Sequence, residues 1–259
     1  MLLKGRTAVV FAATGAIGSA VARRFRAEGA SVHISGRDLA ALQKLGDEIG
    51  ASWRQVDAAD EVQVQACYQQ MSDDGETPNI IFNAIGPRAA DAHYATPSSI
   101  LSRDKFLLPM ETIVWSQFLT ARIAASGLMD RKQKGSIVFL SASLSGQFIP
   151  FMSGITAACG AVEALTRTLA AEYGRLGIRV NCVRAGGMSE TRTIRETAAS
   201  MAQTMGGTSA EAGKSTVANV LGRPLRVEET AQTIAFVASD QASGIAGQVI
   251  NVCAGALVS

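Results

Sequence analysis

The strongest chemical signal in this sequence is a run of small residues, "AATGAIG", from Ala12 to Gly18. Glycines at such a place let the backbone turn tightly and approach a pyrophosphate, which then rests on the first N–H groups of a helix. Gly15 and Gly18 suit that role, and Thr14, Ala16 and Ile17 complete the turn. Ala12 stands where a first glycine is usual, and its methyl takes some of the room. The motif means little alone. Here it follows an apolar run that reads as a strand and opens a helical pattern, as the mechanism requires. The alternative is a tight strand-to-helix turn without a ligand.

About 20 residues beyond such glycines an acid normally meets the ribose hydroxyls of NAD. This sequence has "ISGRD" there, with Arg37 after the uncharged Ser35 and Gly36. A guanidinium pairs bidentately with a phosphate, so NADP(H) is favoured over NAD(H), with no carboxylate expected to oppose Arg37. A plainer role for Arg37 is to top the next helix. In "QVDAAD", Asp57 is placed to accept from an adenine amino group beside Ala58, or to cap a helix, a task for which Asp60 competes. In "FNAIG", Asn83 is positioned to tie neighbouring strands together and Ala84 to leave space for a ribose.

Elements of fixed kind must position these groups. "TAVVFA", "SVHIS", "SWRQV", "NIIFN", "GSIVFLS", "IRVNCV" and "GQVINV" read as strands. Helical patterns lie between them, such as "IGSAVARRFRAEG" and "DLAALQKLGDEIG", the latter with Asp38 as N-cap. Strands this apolar are buried on both faces. The alternation predicts an α/β fold: a single Rossmann-type, doubly wound parallel sheet of about seven strands flanked by helices, with ligands beyond the carboxyl ends of the strands. No repeat, low-complexity tract or proline-rich linker divides the 259 residues, so residues 1–259 are read as one domain.

The composition is 47% hydrophobic with a formal net charge of +2, which offers nothing to nucleic acid or an anionic membrane. Four cysteines, Cys67, Cys159, Cys182 and Cys253, show no metal-ligand spacing and suggest reduced thiols in the cytoplasm. The amino-terminal apolar stretch is too short to span a bilayer.

These pieces in this order resemble the short-chain dehydrogenase/reductase family along nearly the whole chain. The resemblance is most specific in "AVEALTRTLAAEYGRLGIRVNCVRAGG" and "GRPLRVEETAQTIAFVASDQASGIAGQVINVCAG". It implies NAD(P)-dependent oxidation of alcohols or reduction of carbonyls, usually by a tetramer or dimer. It also implies a site in which a tyrosine moves the substrate proton and a lysine four residues later lowers that tyrosine's pKa. A serine orients the substrate oxygen, and an asparagine supports a relay water. The register set by "AVEALTRTLAAE" puts Ile155 at the tyrosine, Cys159 at the lysine, Ala142 at the serine and Ile113 at the asparagine. None of Tyr68, Tyr94 and Tyr173 is followed by a lysine at the family's spacings. Ala185 and Gly186 stand for the family's proline-glycine, and Thr191 lies near where a threonine often meets the carboxamide.

Three readings follow: an atypical reductase, a pseudoenzyme that pairs with an active paralogue or senses NADP, and non-redox chemistry in the same pocket. In the first, Ser143, Ser141, Thr156, the Cys159 thiol or Tyr94 replaces part of the relay. Tyr94 and His93 belong to "GPRAADAHYATPSSILSRDKFLLPMET", a stretch longer than the family usually shows and otherwise read as a surface loop. With an apolar floor, a carbonyl oxygen gaining hydride would carry unpaired charge, so ordinary ketones and aldehydes are not expected to react. A homotetramer or homodimer, or a hetero-oligomer with an active relative, is expected. Its contacts would be the helices carrying Phe118 and Leu165 and the final stretch "GQVINVCAGALVS". No residue names a substrate, and no metal is expected.

Overall fold

The computed structural model describes residues 1–206 and 219–257. Its strands are β1 (Thr7–Phe11), β2 (Ser31–Gly36), β3 (Ser52–Gln55), β4 (Ile80–Asn83), β5 (Gly135–Ala142), β6 (Ile178–Ala185) and β7 (Val249–Val252). They form one sheet in the order β3-β2-β1-β4-β5-β6-β7, and every pairing is parallel. The expected seven-stranded Rossmann-type sheet is therefore the fold. The order reverses between β1 and β4, which opens a crevice at their carboxyl ends.

Alternate residues of each strand point to opposite faces. Val9, Phe11 and Ile81 join one core with Val64, Leu119 and Val162. Ala8, Val10, Ile80 and Phe82 join the other with Val21, Leu42 and Ile234. The first face is covered by α3 (Glu61–Asp73), α5 (Trp115–Asp130) and α6 (Ser153–Tyr173), the second by α1 (Ala16–Ala27), α2 (Leu39–Ile49) and α8 (Val227–Ala238). The long helix α6 buries Ile155, Cys159, Val162, Thr166 and Leu169, a stripe at helical spacing.

The helix starts follow side-chain chemistry. Asp38 accepts from the Ala41 N–H at 3.0 Å and Asp60 from the Gln63 N–H at 3.1 Å, so Asp60 rather than Asp57 caps α3. Gly15 at the start of α1 offers no side-chain cap. Between α4 (Arg103–Pro109) and α5, residues Met110–Val114 form a π turn. Helix α7 (Arg192–Met205) follows β6, with Thr191 as its cap. No helix among the described residues is long and apolar enough to cross a membrane.

Candidate functional site

The carboxyl ends of the strands enclose a cleft of about 1310 Å³. One end is built by the turn after β1. Ala12 adopts a left-handed φ of 54°, which costs an alanine free energy that glycine would not spend. A Cβ on Gly18 would lie 2.3 Å from the Ala12 carbonyl oxygen, so only hydrogen fits. A Cβ on Gly15 would meet that oxygen at 3.5 Å, an ordinary contact. The turn brings Ala12, Thr14, Gly15, Ala16, Ile17 and Gly18 to the cleft wall. The uncapped amino end of α1 opens there, and the small Ala58 and Ala84 widen it from β3 and β4. This cradle fits the diphosphate and ribose of a dinucleotide.

Arg37 reaches the rim with most of its side chain in solvent, and its Nη1 lies 3.8 Å from Asp57 Oδ2. The expectation that no carboxylate opposes Arg37 is thus overturned. The parallel register of β2 and β3 sets Gly36 beside Gln55, which carries the residues after both strands to the same edge. Asp57 is not a cleft-lining residue. Its Oδ1 accepts from the Ala59 N–H at 3.0 Å.

Asn83 is buried behind the cleft wall. It does not tie strand to strand. Its amide faces Ser116 and Thr120 of α5 at 3.3 Å each, and its Oδ1 accepts from the Ile85 N–H. Ala185, Gly186 and Thr191 line the cleft after β6. The Thr191 hydroxyl donates to the Met188 carbonyl at 2.8 Å and accepts from the Ile194 N–H, so it serves as a helix cap.

At the other end of the cleft, Ile113, Ala142, Ile155 and Cys159 come together from the π turn, β5 and α6. Burial pushes the Cys159 thiol up to about 11, and a backbone hydrogen bond at Ala142 offsets only part of this. The thiol stays protonated at neutral pH and is a poor nucleophile. Ser141 and Ser143 also border the cleft. The Ser141 hydroxyl is committed to Glu163 at 2.9 Å and that of Ser143 to Gln147 at 3.2 Å. Thr156 does not line the cleft.

The stretch read as a surface loop is not one throughout. His93 is exposed, but Tyr94 is 8% exposed and packs in the core with Ile113, Ile155 and Cys159. Burial, with the Cys159 thiol adding to it, pushes the phenol well above its ordinary value. Tyr94 is a cleft-lining residue.

Sequence reasoning missed the charged network beneath this floor. Glu163, one helical turn beyond Cys159, receives a fork from Arg184 of β6, with Nε to Oε1 at 2.8 Å. Ser141 of β5 and Ser145 donate to the same carboxylate, and Arg184 Nη1 reaches Asn251 of β7 at 3.2 Å. Burial pushes the Glu163 carboxyl up, but the hydrogen bonds from Arg184, Ser145 and Ser141 and the Arg184 charge outweigh it and hold it below the usual carboxylate range. The available signal was the second arginine of "RVNCVRA", Arg184, near the end of an apolar strand, and a lone acid on the apolar face of α6. Helix α7 adds Met201 and Met205, and the segment after β5 adds Phe148, all apolar walls not anticipated from the sequence. No group of three or more metal-ligating side chains occurs among the described residues.

Residues 11–256 match the protein family described as enoyl-(acyl carrier protein) reductase. The uncharacterised oxidoreductase YxbG of Bacillus subtilis is 32% identical over 256 residues, covering 96% of this chain and 90% of that protein. The 3beta-hydroxysteroid dehydrogenase 1 of Eggerthella lenta is 30% identical over 263 residues, with 98% and 94% covered. A solved structure of a short chain dehydrogenase/reductase family protein superposes with a TM-score of 0.79 at 30% identity, over 98% of each chain. With that match across nearly its whole length and with its fold, the chain belongs to the short-chain dehydrogenase/reductase family.

Proposed function

We propose that this family oxidoreductase binds NADP(H) in the cleft and works without the usual tyrosine-lysine relay. The observation that carries this reading is one continuous cleft joining a dinucleotide cradle to an apolar floor of Ile113, Ala142, Ile155 and Cys159. The bound nicotinamide would supply hydride. The chain's own part is to hold the diphosphate on the amino end of α1, to seat the riboses against Ala58 and Ala84, and to exclude water with the apolar walls. The apolar floor also favours a second reading, a pseudoenzyme that keeps the cofactor and has lost the reaction. We further propose a cytoplasmic homo-oligomer, or an assembly with an active relative, using the α5 and α6 faces around Phe118 and Leu165. Val258 and Ser259 of the proposed second contact lie outside the described residues. Light scattering at micromolar concentration is expected to show more than one subunit per particle.

Calorimetry with NADPH beside NADH tests the cofactor. NADPH is expected to bind more tightly, but by a modest margin, because Asp57 shares the edge with Arg37. An exposed charge pair contributes up to about 1 kcal/mol. Arg37→Ala should therefore weaken NADPH binding roughly fivefold and leave NADH unchanged. An unchanged NADPH dissociation constant would remove Arg37 from the site. Absence of binding by either nucleotide would remove the oxidoreductase and pseudoenzyme readings together.

A further inference from the structure

The oxidoreductase reading above leaves the proton unassigned. Among the hydroxyls and thiols weighed for it, Ser141 and Ser143 are engaged by Glu163 and Gln147, Thr156 lies off the cleft, and Cys159 holds its proton tightly in the core. Tyr94 differs from all of these. It lines the cleft and packs against the residues of the apolar floor, yet its hydroxyl makes no hydrogen bond to any described residue.

The backbone is shaped to put it there. His93 and Ala95, on either side of Tyr94, both take left-handed φ values, 49° and 67°. Residues without glycine's freedom persist in that region only when their surroundings hold them, and such positions gather at functional sites. The surroundings here are specific. Lys105 of α4 donates to the Asp91 carbonyl at 2.8 Å, Thr204 of α7 to the Ala95 carbonyl at 2.7 Å, and Ser98 meets Ser153 of α6. Three helices therefore clamp the segment that carries Tyr94 to the end of the cleft floored by Ile113, Ala142, Ile155 and Cys159.

We propose that Tyr94 is the catalytic proton donor of this protein, serving apolar carbonyl substrates from the loop side of the cleft. The carbonyl carbon gains the hydride that a reduced nicotinamide supplies, and the oxygen takes the electron pair of the breaking C=O π bond. The Tyr94 O–H proton passes to that oxygen. Water at the open mouth of the cleft returns a proton to the phenolate. An alkoxide is a stronger base than any phenolate, so donation by a buried phenol runs downhill. The reverse reaction must first ionise a phenol that burial holds neutral, so alcohol oxidation should be much slower than carbonyl reduction at neutral pH.

Acetophenone labelled with carbon-13 at its carbonyl is a suitable probe for a donor beside an apolar floor, because the neighbouring Ser141, Ser143 and Thr191 hydroxyls are engaged within the protein. In the cofactor-free protein its C=O stretch should fall to lower frequency when bound. Tyr94→Phe should abolish the shift, while His93→Asn, on the exposed side of the same loop, should keep it. Equal stretches in the native protein and Tyr94→Phe, or failure of acetophenone to bind, overturn the assignment. With NADPH added, Tyr94→Phe should form 1-phenylethanol about 100-fold more slowly, with KM little changed. Equal rates, or no product from a native protein that binds both ligands, overturn proton donation by Tyr94. Calorimetry separates the two levels: NADPH binding equal in native protein and variant leaves the oxidoreductase reading intact whatever the stretch shows. Loss of NADPH binding in both removes that reading without touching the infrared result.

Discussion

Glu163→Ala is expected to be the most damaging single substitution away from the cleft, lowering stability by about 3–5 kcal/mol. The carboxylate is 6% exposed and holds together four parts of the sheet side of the site: Ser141 on β5, Ser145 in the turn after it, Arg184 on β6 and, through Arg184, Asn251 on β7. Removing it leaves a guanidinium buried with little compensation, which costs more than the pair itself contributes. For a chain of this size each kcal/mol shifts the midpoint of thermal unfolding by about 2–4 °C, so a fall of about 10 °C is expected by calorimetry. The pH dependence has a definite sign. The folded state holds the Glu163 carboxyl below its unfolded value, so its contribution is complete above the ordinary carboxylate range and is lost as the pH falls through the lower, folded value. Glu163→Gln lacks this titration, and its deficit against the native protein should shrink on acidification. A deficit that stays constant with pH would show that the carboxylate charge is not what the network uses.

Gly18→Ala should have the second largest effect, and on both stability and nucleotide binding. Its Cβ would sit 2.3 Å from the Ala12 carbonyl oxygen and 2.9 Å from the Ala13 Cα, both backbone atoms that cannot swing aside. Overpacking of this kind costs about 1–3 kcal/mol. The turn must move, and with it the amide groups at the start of α1 that would hold the diphosphate. We expect more than a tenfold loss of NADPH affinity, on the order of 1.4 kcal/mol or more. Gly15→Ala is the control for stability, because its Cβ meets only one atom, at 3.5 Å, and its φ of −77° suits alanine. Equal melting temperatures for Gly18→Ala and the native protein would show that the turn relaxes freely.

The sheet was legible because its strands are continuous apolar runs bounded by helical patterns, a signal that needs no knowledge of distant contacts. The glycine turn was legible for a related reason: Gly18 is demanded by the local meeting of β1 and α1. What could not be read depends on residues brought together by the sheet order. Arg37 and Asp57 are neighbours only because β2 and β3 lie side by side. Asn83 looked like a strand-to-strand tie, and it required α5 overhead to become a strand-to-helix one. Glu163 and Arg184 each looked like an isolated charge in an apolar run until α6 lay over β6. Tyr94 sits in a stretch with no periodicity, where nothing in the sequence distinguishes a solvated loop from one pinned by three helices.

The π turn at Met110–Val114 sets the phase of everything before it. An α-helix turns about 100° per residue, so one additional residue within a turn rotates the preceding segment by that amount against the following one. Helix α4 is thereby presented to α6 at an angle that a continuous α-helix from Arg103 to Asp130 would not give. The fit there is close: a Cβ on Gly154 of α6 would lie 2.9 Å from the Phe106 carbonyl oxygen. Lys105, next to Phe106, is one of the clamps on the segment that carries Tyr94. Deleting one residue from the π turn would regularise the helix and point Lys105 away from Asp91. The orientation of a tyrosine in one loop is therefore geared to a winding irregularity more than a dozen residues downstream, and a gain or loss of a single residue there would re-aim the tyrosine together with Ile113, the floor residue that the π turn itself carries.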